Sequence, residues 1–267
     1  MTCPTPCQRW HERRPRYRPP GEVIDTSRHG VEVIEERDAR PFVERHHYAG
    51  SYPAARLAVG LMRARRWVVP ELVGVAVFSV PMQPRAIPCY AGVDAGDGVE
   101  LGRLVLLDEV PGNGESWFVA RAFRALRAAH PEVRAVLSYS DPMPRETAAG
   151  EVIMPGHVGI VYQALNATYH GRSSARTLCV DREGRVVSPR ALSKIRRGER
   201  GGAAAYERLV RAGAPRMRPG EAPEAWVTRA LEEGPFRRLQ HPGNHAYTWR
   251  LDGAERAEGM PYPRRAL

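Results

Sequence analysis

The sequence has no apolar run long enough to cross a membrane: 43% of its 267 residues are hydrophobic, yet no window approaches the ~18 uninterrupted apolar side chains that a spanning helix needs. The N-terminus places no apolar stretch behind its basic residues, so no secretory signal is expected, and the expected location is the cytoplasm. Cysteine is scarce. Cys3, Cys7, Cys89 and Cys179 are too few and too scattered to hold a chain of this length together by disulfides. Cys3, Cys7 and His11 have helical spacing, but they lie in an Arg/Pro-rich tail and supply only three metal donors. The common nucleotide signatures are also missing. There is no G-x-G-x-x-G and no Walker lysine, which disfavours NAD and ATP.

What is present is positive charge. Forty Lys and Arg residues stand against thirty Asp and Glu, a formal charge of +10, and arginine supplies nearly all of the cations. A guanidinium is a planar fork of donors that matches phosphate oxygens two at a time, so a polyanionic partner fits this composition. A genome rich in G and C also encodes arginine freely, so charge alone leaves nucleic acid and an ordinary basic surface both open. Residues 1–20 crowd Arg13, Arg14, Arg16 and Arg18 among prolines without any core-forming pattern and read as a disordered basic arm.

Beyond the arm the pattern is that of an α/β domain. Residues 31–34 are a short strand candidate, 41–47 a helical turn, and the apolar runs 57–62 and 72–80 two strands joined through Arg63, Arg65 and Arg66. Residues 101–107 (LGRLVLL) read as a buried strand. After a Pro/Gly break comes the clearest amphipathic helix, 116–130, with Phe118, Ala122, Leu126 and Ala129 at near-helical spacing and Arg121, Arg124 and Arg127 on another face. Residues 133–139 follow as a strand, completing a βαβ unit. Residues 156–162 are a further strand candidate, and 176–181 with 185–188 read as a hairpin. From Pro189 the chain is helical and basic, with a late helix over 223–233 and a last strand over 245–249. The order predicts an α/β fold of the α+β type, a mixed sheet flanked by helices. Its catalytic domain would span residues 21–188, and a basic helical C-terminal region, 189–267, would pack on it.

Five segments carry polar groups suited to chemistry. The loop Pro111-Gly112-Asn113-Gly114-Glu115-Ser116 ends in a helix N-terminus whose unpaired N–H groups and positive dipole end can cradle a pyrophosphate; it equally fits an ordinary turn capped by Asn113 or Ser116. His46-His47-Tyr48 sets two imidazoles beside a phenol, groups suited to proton transfer near neutral pH or to metal ligation, and also common as surface decoration. Asp141-Pro142 closes a strand, where carboxylates line ligand crevices in open sheets. Asp141 can accept the proton of an attacking amine, bind a metal, or simply start a turn. Around Gly156-His157-Val158-Gly159 the glycines suggest close backbone approach, and Tyr162 and Gln163 can stack on and hydrogen-bond to a base edge, unless Tyr162 is a core tyrosine. Lys194, Arg196, Arg197 and Arg200, with Arg172 and Arg176 upstream, can clamp a phosphate backbone or form a solvated helix end.

The order of these segments carries more than any one of them. The series HHYAGSYP, ELGRLVLLDEVPGNGESWFVARAFRAL, SYSDP, GHVGIVYQALNATYHGR and HPGNHAYTW resembles the Mom family of phage Mu-type DNA modification proteins, most specifically in GH-x-G-x-x-YQA-x-N and HY-x-x-x-x-P. The resemblance implies an acetyltransferase-like (GNAT) fold and a transferase that converts adenine in double-stranded DNA to its N6-carbamoylmethyl form, shielding the DNA from restriction. A cell expressing a phage gene would hold it in the host cytoplasm. The implied catalytic residues are His47, Tyr48, Asp141 and Tyr162. Ser116 falls on the family's serine at the helix start, and with Gly112, Asn113 and Gly114 it would meet acetyl-CoA or another acyl donor. His157, Gln163, Arg172, Lys194, Arg196 and Arg197 are the expected contacts to DNA and its flipped adenine, and a metal such as iron would fall on His47 and Asp141. Two departures stand out. Residues 143–155 (MPRETAAGEVIMP) are inserted between the Asp-Pro and Gly-His motifs, where they would act as a lid or a context-reading loop. The acetyltransferase signature R/Q-x-x-G-x-G/A is absent. The rival readings are a GNAT-type N-acetyltransferase acting on a small amine or a protein, and a non-catalytic DNA-binding protein.

Overall fold

The structure is a computed structural model that describes residues 23–65, 67–154, 156–254 and 258–264. The basic arm over residues 1–20, with Cys3, Cys7 and His11, lies outside the described residues. The chain divides into two compact units, one of residues up to Met143, Met154–Ser174 and from Gly243, the other of Pro144–Ile153 and Ala175–Pro242.

The first unit is built on a seven-stranded sheet. In chain order its elements are β1 (His29–Ile34), α1 (Glu36–His46), β2 (Ala55–Arg65), β3 (Val68–Ser79), α2 (Ala86–Ala91), β4 (Gly98–Leu106), α3 (Gly114–Ala129) and β5 (Ala135–Ser140). The strand order is β1-β2-β3-β4-β5, followed by two strands from much later in the chain. All neighbours are antiparallel except β4 and β5, which run parallel because α3 carries the chain back across the sheet. The predicted βαβ unit is therefore present. Strands β2, β3 and β4 are rich in Val, Leu and Ala because both their faces are covered. Leu57, Val59, Leu61, Phe78, Leu104 and Leu106 pack with Phe118, Val119, Ala122 and Leu126 of α3 on one side. Ala58, Val75, Val77 and Val105 pack with Ala39 and Val43 of α1 on the other.

Three sequence expectations need correction. Residues 156–162 are not a strand: after the insertion, which carries β6 (Arg145–Glu146) and β7 (Val152–Met154), they form a loop that runs into the short helix α4 (Ile160–Ala164), begun by Gly159 at φ 70°. The expected hairpin of 176–181 with 185–188 survives only as a bridge between Val180 and Val186. The strand there, β9 (Arg176–Val180), pairs instead with β10 (Arg237–His241). The domain boundary also falls elsewhere. The last strand, β11 (His245–Arg250), pairs with β5 on one side and with β8 (Thr168–Arg172) on the other, so the end of the chain belongs to the first unit and not to a separate C-terminal region.

The second unit has its own small core. Helices α5 (Pro189–Arg196), α6 (Gly202–Arg211) and α7 (Pro223–Glu233) bury Leu192, Ile195, Leu209, Trp226 and Val227 together. The Trp226 indole N–H donates to the Pro215 carbonyl at 2.8 Å, so its polar end is satisfied at full burial. The insertion joins this unit: β6 and β7 pair with each other, and the Ala148 N–H donates to the Arg182 carbonyl at 2.6 Å. Its two ends meet at a neck in the first unit. There the His157 N–H donates to the Asp141 carbonyl at 2.8 Å, and Gly156, at φ 73°, lies so close to the Pro142 carbonyl that a Cβ would overlap it.

Candidate active site

The parallel pair β4 and β5 is joined over only three positions. Gly98 faces Ala135, Val99 faces Val136 and Glu100 faces Leu137; the pairing then stops, although β4 runs on to Leu106 and β5 to Ser140. Two strands that part leave backbone groups without a ladder, and these must be met by side chains or by a ligand. One is met locally: the Ser138 hydroxyl donates to the Leu101 carbonyl across the gap at 3.0 Å. The Tyr162 phenol lies in hydrogen-bonding reach of the same hydroxyl. Tyr162 is buried, with Tyr247 and Trp249 against its ring at 5.4 and 5.5 Å, and burial pushes its phenol up. Gly159 permits this packing, because a Cβ there would meet the Tyr162 and Tyr247 rings at 2.8 and 2.9 Å.

The end of α1 supplies a second group. The helix stops at His46; His47 turns extended and its N–H still donates to the Val43 carbonyl. Its imidazole is buried and Nδ1 accepts the Ala49 N–H at 3.1 Å, which in the neutral ring places the proton on Nε2. The Tyr48 ring lies between two imidazoles, 4.3 Å from His47 and 6.4 Å, edge-on, from His157. His157 is tied in turn to the Asp141 carbonyl, so the segments around residues 47, 141 and 157 converge.

Two charged residues that sequence reasoning did not single out complete the arrangement. Arg103 donates to the Ser51 carbonyl and hydroxyl at 2.9 and 3.0 Å and to the Gly102 carbonyl at 2.6 Å, and its charge reaches Tyr48. Burial lowers its pKa. Glu100 is half-buried at the last paired position before the strands part, and burial, opposed by Arg103, raises its carboxyl above the usual carboxylate range. A signal for both was present: they are the charges inside the apolar run VELGRLVLL, where an ionised side chain must have a reason to be.

A model of the Mom protein family matches residues 28–219. The chain belongs to the Mom protein family. It is also 26% identical over 170 residues to the methylcarbamoylase Mom of Escherichia phage Mu, a match that covers 63% of this chain and 63% of that protein, so it spans less than two thirds of its relative's length. The Mom match includes His47, Tyr48, Glu100, Arg103, Ser138, His157 and Tyr162 and ends before α7 and β11, so Tyr247 and Trp249 lie outside it.

Within this Mom fold the expected residues are placed unequally. His47, Tyr48 and His157 stand together, with Asp141 beside them through its backbone. The Asp141 carboxylate accepts the Met143 N–H at 2.9 Å, an Asx turn that opens the insertion. Gln163 directs its amide nitrogen inward, donating to the Val158 carbonyl at 3.0 Å and the Pro263 carbonyl at 3.3 Å. Arg172 is exposed at the end of β8, within electrostatic reach of His245 and Tyr169. Lys194, Arg196 and Arg197 lie in the second unit at the end of α5; Arg197 is 3.8 Å from Glu199, and Arg196 is exposed.

The loop before α3, expected as the donor cradle, is closed by hydrogen bonds of its own. The Gly112 carbonyl accepts the Ile24 N–H, the Gly114 N–H donates to the Pro111 carbonyl, and the Ser116 hydroxyl donates to the Asn113 carbonyl at 3.2 Å. Gly114 is required for packing, since a Cβ would meet Val110 at 2.6 Å. Glu115 places a carboxylate in the first turn, at the positive end of the helix dipole where an anion would bind. The metal expectation fits less well. Among the described residues no three His, Cys, Asp or Glu side chains gather, and His47 Nδ1 and Asp141 Oδ1 each already accept a backbone N–H.

Proposed function

We propose that this Mom-family chain is a DNA-modifying transferase that acts on the exocyclic amine of adenine in duplex DNA and leaves an N6-carbamoylmethyl group there. The observation that carries this reading is the parting of β4 and β5 inside the family-matched region, with Glu100, Arg103, Tyr48, His47, His157 and the Ser138–Tyr162 pair around it. Chemistry on a base inside a duplex requires that the base leave the stack, at a cost on the order of a few kcal/mol that ring contacts and edge hydrogen bonds must offset. Tyr48 and the adjacent imidazoles offer ring faces for that purpose. The exposed arginines, Arg172 in one unit and Arg196 in the other, fit sequence-independent phosphate contacts. The loop Gly112-Asn113-Gly114 and Ser116, at the start of α3, would meet the polar end of the donor of the transferred group.

The test is nucleoside mass spectrometry of DNA from cells expressing the protein, against cells carrying the empty vector. Modified adenine with the mass of a carbamoylmethyl adduct is the expected result. Unmodified adenine in cells that make the folded protein would end this reading.

A further inference from the structure

Three groups in this site are candidates for meeting the substrate amine as it reacts, and the structure distinguishes them. His47 holds its Nδ1 lone pair on the Ala49 N–H, so its remaining ring nitrogen carries the proton when the ring is neutral and cannot take another. The Asp141 carboxylate accepts the Met143 N–H and holds the start of the insertion. Glu100 is different. No hydrogen bond or ion pair reaches its carboxylate from any described residue; the neighbouring guanidinium of Arg103 is held by Ser51 and Gly102. A half-buried carboxylate without a partner is unfavourable in a fold that gains nothing from it, because burial removes water and returns no donor.

Its place in the fold gives the reason. Glu100 is the last residue of β4 to face β5, at the closed end of the opening between the two strands. Arg103 lies on its own strand and Tyr162 comes from α4, both within electrostatic reach; Tyr48 and His157 stand beyond Arg103. A carboxylate has acceptors only, and an amino group attached to a ring presents two N–H donors in its plane. The two match. A ring carbonyl at the same position would place oxygen against oxygen.

We infer that Glu100 recognises the exocyclic amine of the substrate base and takes the proton it releases. This rests on the proposed DNA-modifying function. The amine nitrogen forms a bond to the carbon of a carbamoylmethyl donor that carries a leaving group, and the leaving group departs with the electrons of its bond to that carbon. One N–H bond breaks and its proton passes to a Glu100 carboxylate oxygen, which leaves a neutral secondary amine. Tyr162 stands within electrostatic reach of it, and Arg103 favours the ionised carboxylate before the proton arrives.

The experiment compares wild type, Glu100→Gln and Glu100→Asp by nucleoside mass spectrometry of added DNA in clarified cell extract, which supplies the donor, from pH 5 to 9, alongside DNA retention and melting temperature. Glu100→Gln is expected to lower modified adenine by about 10²-fold or more, the usual contribution of a general base. DNA retention should fall by much less than the modification rate, because phosphate contacts carry most of the affinity, and the fold should be no less stable. Glu100→Asp should recover part of the activity, with the acid limb of the pH profile displaced. The inference is overturned if Glu100→Gln stays within threefold of wild type, if its acid limb coincides with that of wild type, or if both variants lose activity together with melting temperature, which would place Glu100 in the fold alone. Absence of modified adenine in wild type would instead overturn the functional reading beneath it.

Discussion

At the scale of single residues, the candidate site depends on which polar atoms are already engaged. His47, Asp141 and Gln163 were all legible as functional candidates from residue type and position. What residue type cannot show is that His47 Nδ1, Asp141 Oδ1 and the Gln163 amide nitrogen are each hydrogen-bonded to backbone. Glu100 and Arg103 were hidden in the opposite way: they look like ordinary interruptions of a strand until the pairing beside them is seen to stop. The raised Glu100 pKa makes a stability prediction of its own. A carboxyl whose folded pKa lies above its unfolded value holds more protons in the folded state, so its contribution is complete below the ordinary range near 4.5 and is lost as pH rises through the folded value. Glu100→Gln should therefore melt higher than wild type at pH 8, and the difference should vanish by about pH 4, as thermal denaturation at the two pH values would show.

At the scale of elements, the long apolar patterns survived, as did the short strands at 31–34 and 245–249, while the segments 156–162 and 176–188 took other forms. The helix α3 and strands β2 to β5 are set by runs of side chains long enough to bury a face, and their boundaries lie close to those expected. The segment 156–162 has alternating small and apolar residues that also suit a strand, but Gly156 and Gly159 at φ 73° and 70° break any ladder and start α4 instead. The hairpin expected at 176–188 lost to a partner far along the chain, because β10 offers a full ladder where the local return offers a single bridge. The insertion opens on an Asx turn. Asp141→Ala removes the acceptor of the Met143 N–H at its neck and should destabilise the first unit by about 1 kcal/mol, a typical net hydrogen bond, whereas Asp141→Asn keeps an acceptor oxygen and should melt as wild type. Equal losses for the two variants in a denaturant titration would show that the charge, not the turn, matters there.

At the scale of the whole molecule, the chain leaves one compact unit twice, at residues 144–153 and again at 175–242, and both excursions build the other. The net charge of +10 is spread across the sequence, and many arginines are matched, as in the Arg229–Glu221 pair at 2.6 Å that holds the Glu221 carboxyl down at about 2. Arg196 and Arg200 are exposed, and no ion pair is recorded for either among the described residues. Under the proposed function, Arg196→Ala with Arg200→Ala should weaken DNA retention at every sequence alike and flatten the dependence of log affinity on log salt by about one unit per lost phosphate contact. A slope unchanged from wild type in a salt titration would remove Arg196 and Arg200 from the DNA contacts.

The sequence by itself determined the α/β class and the βαβ unit, because hydrophobic periodicity is a property of consecutive residues. Tertiary structure alone decided that β11 returns to the sheet beside β5, that the insertion belongs to the second unit, and that among the described residues no hydrogen bond or ion pair reaches the Glu100 carboxylate where β4 and β5 part. Each of these depends on which strand lies next to which, and that is set by burial and ladder pairing between segments far apart in the chain.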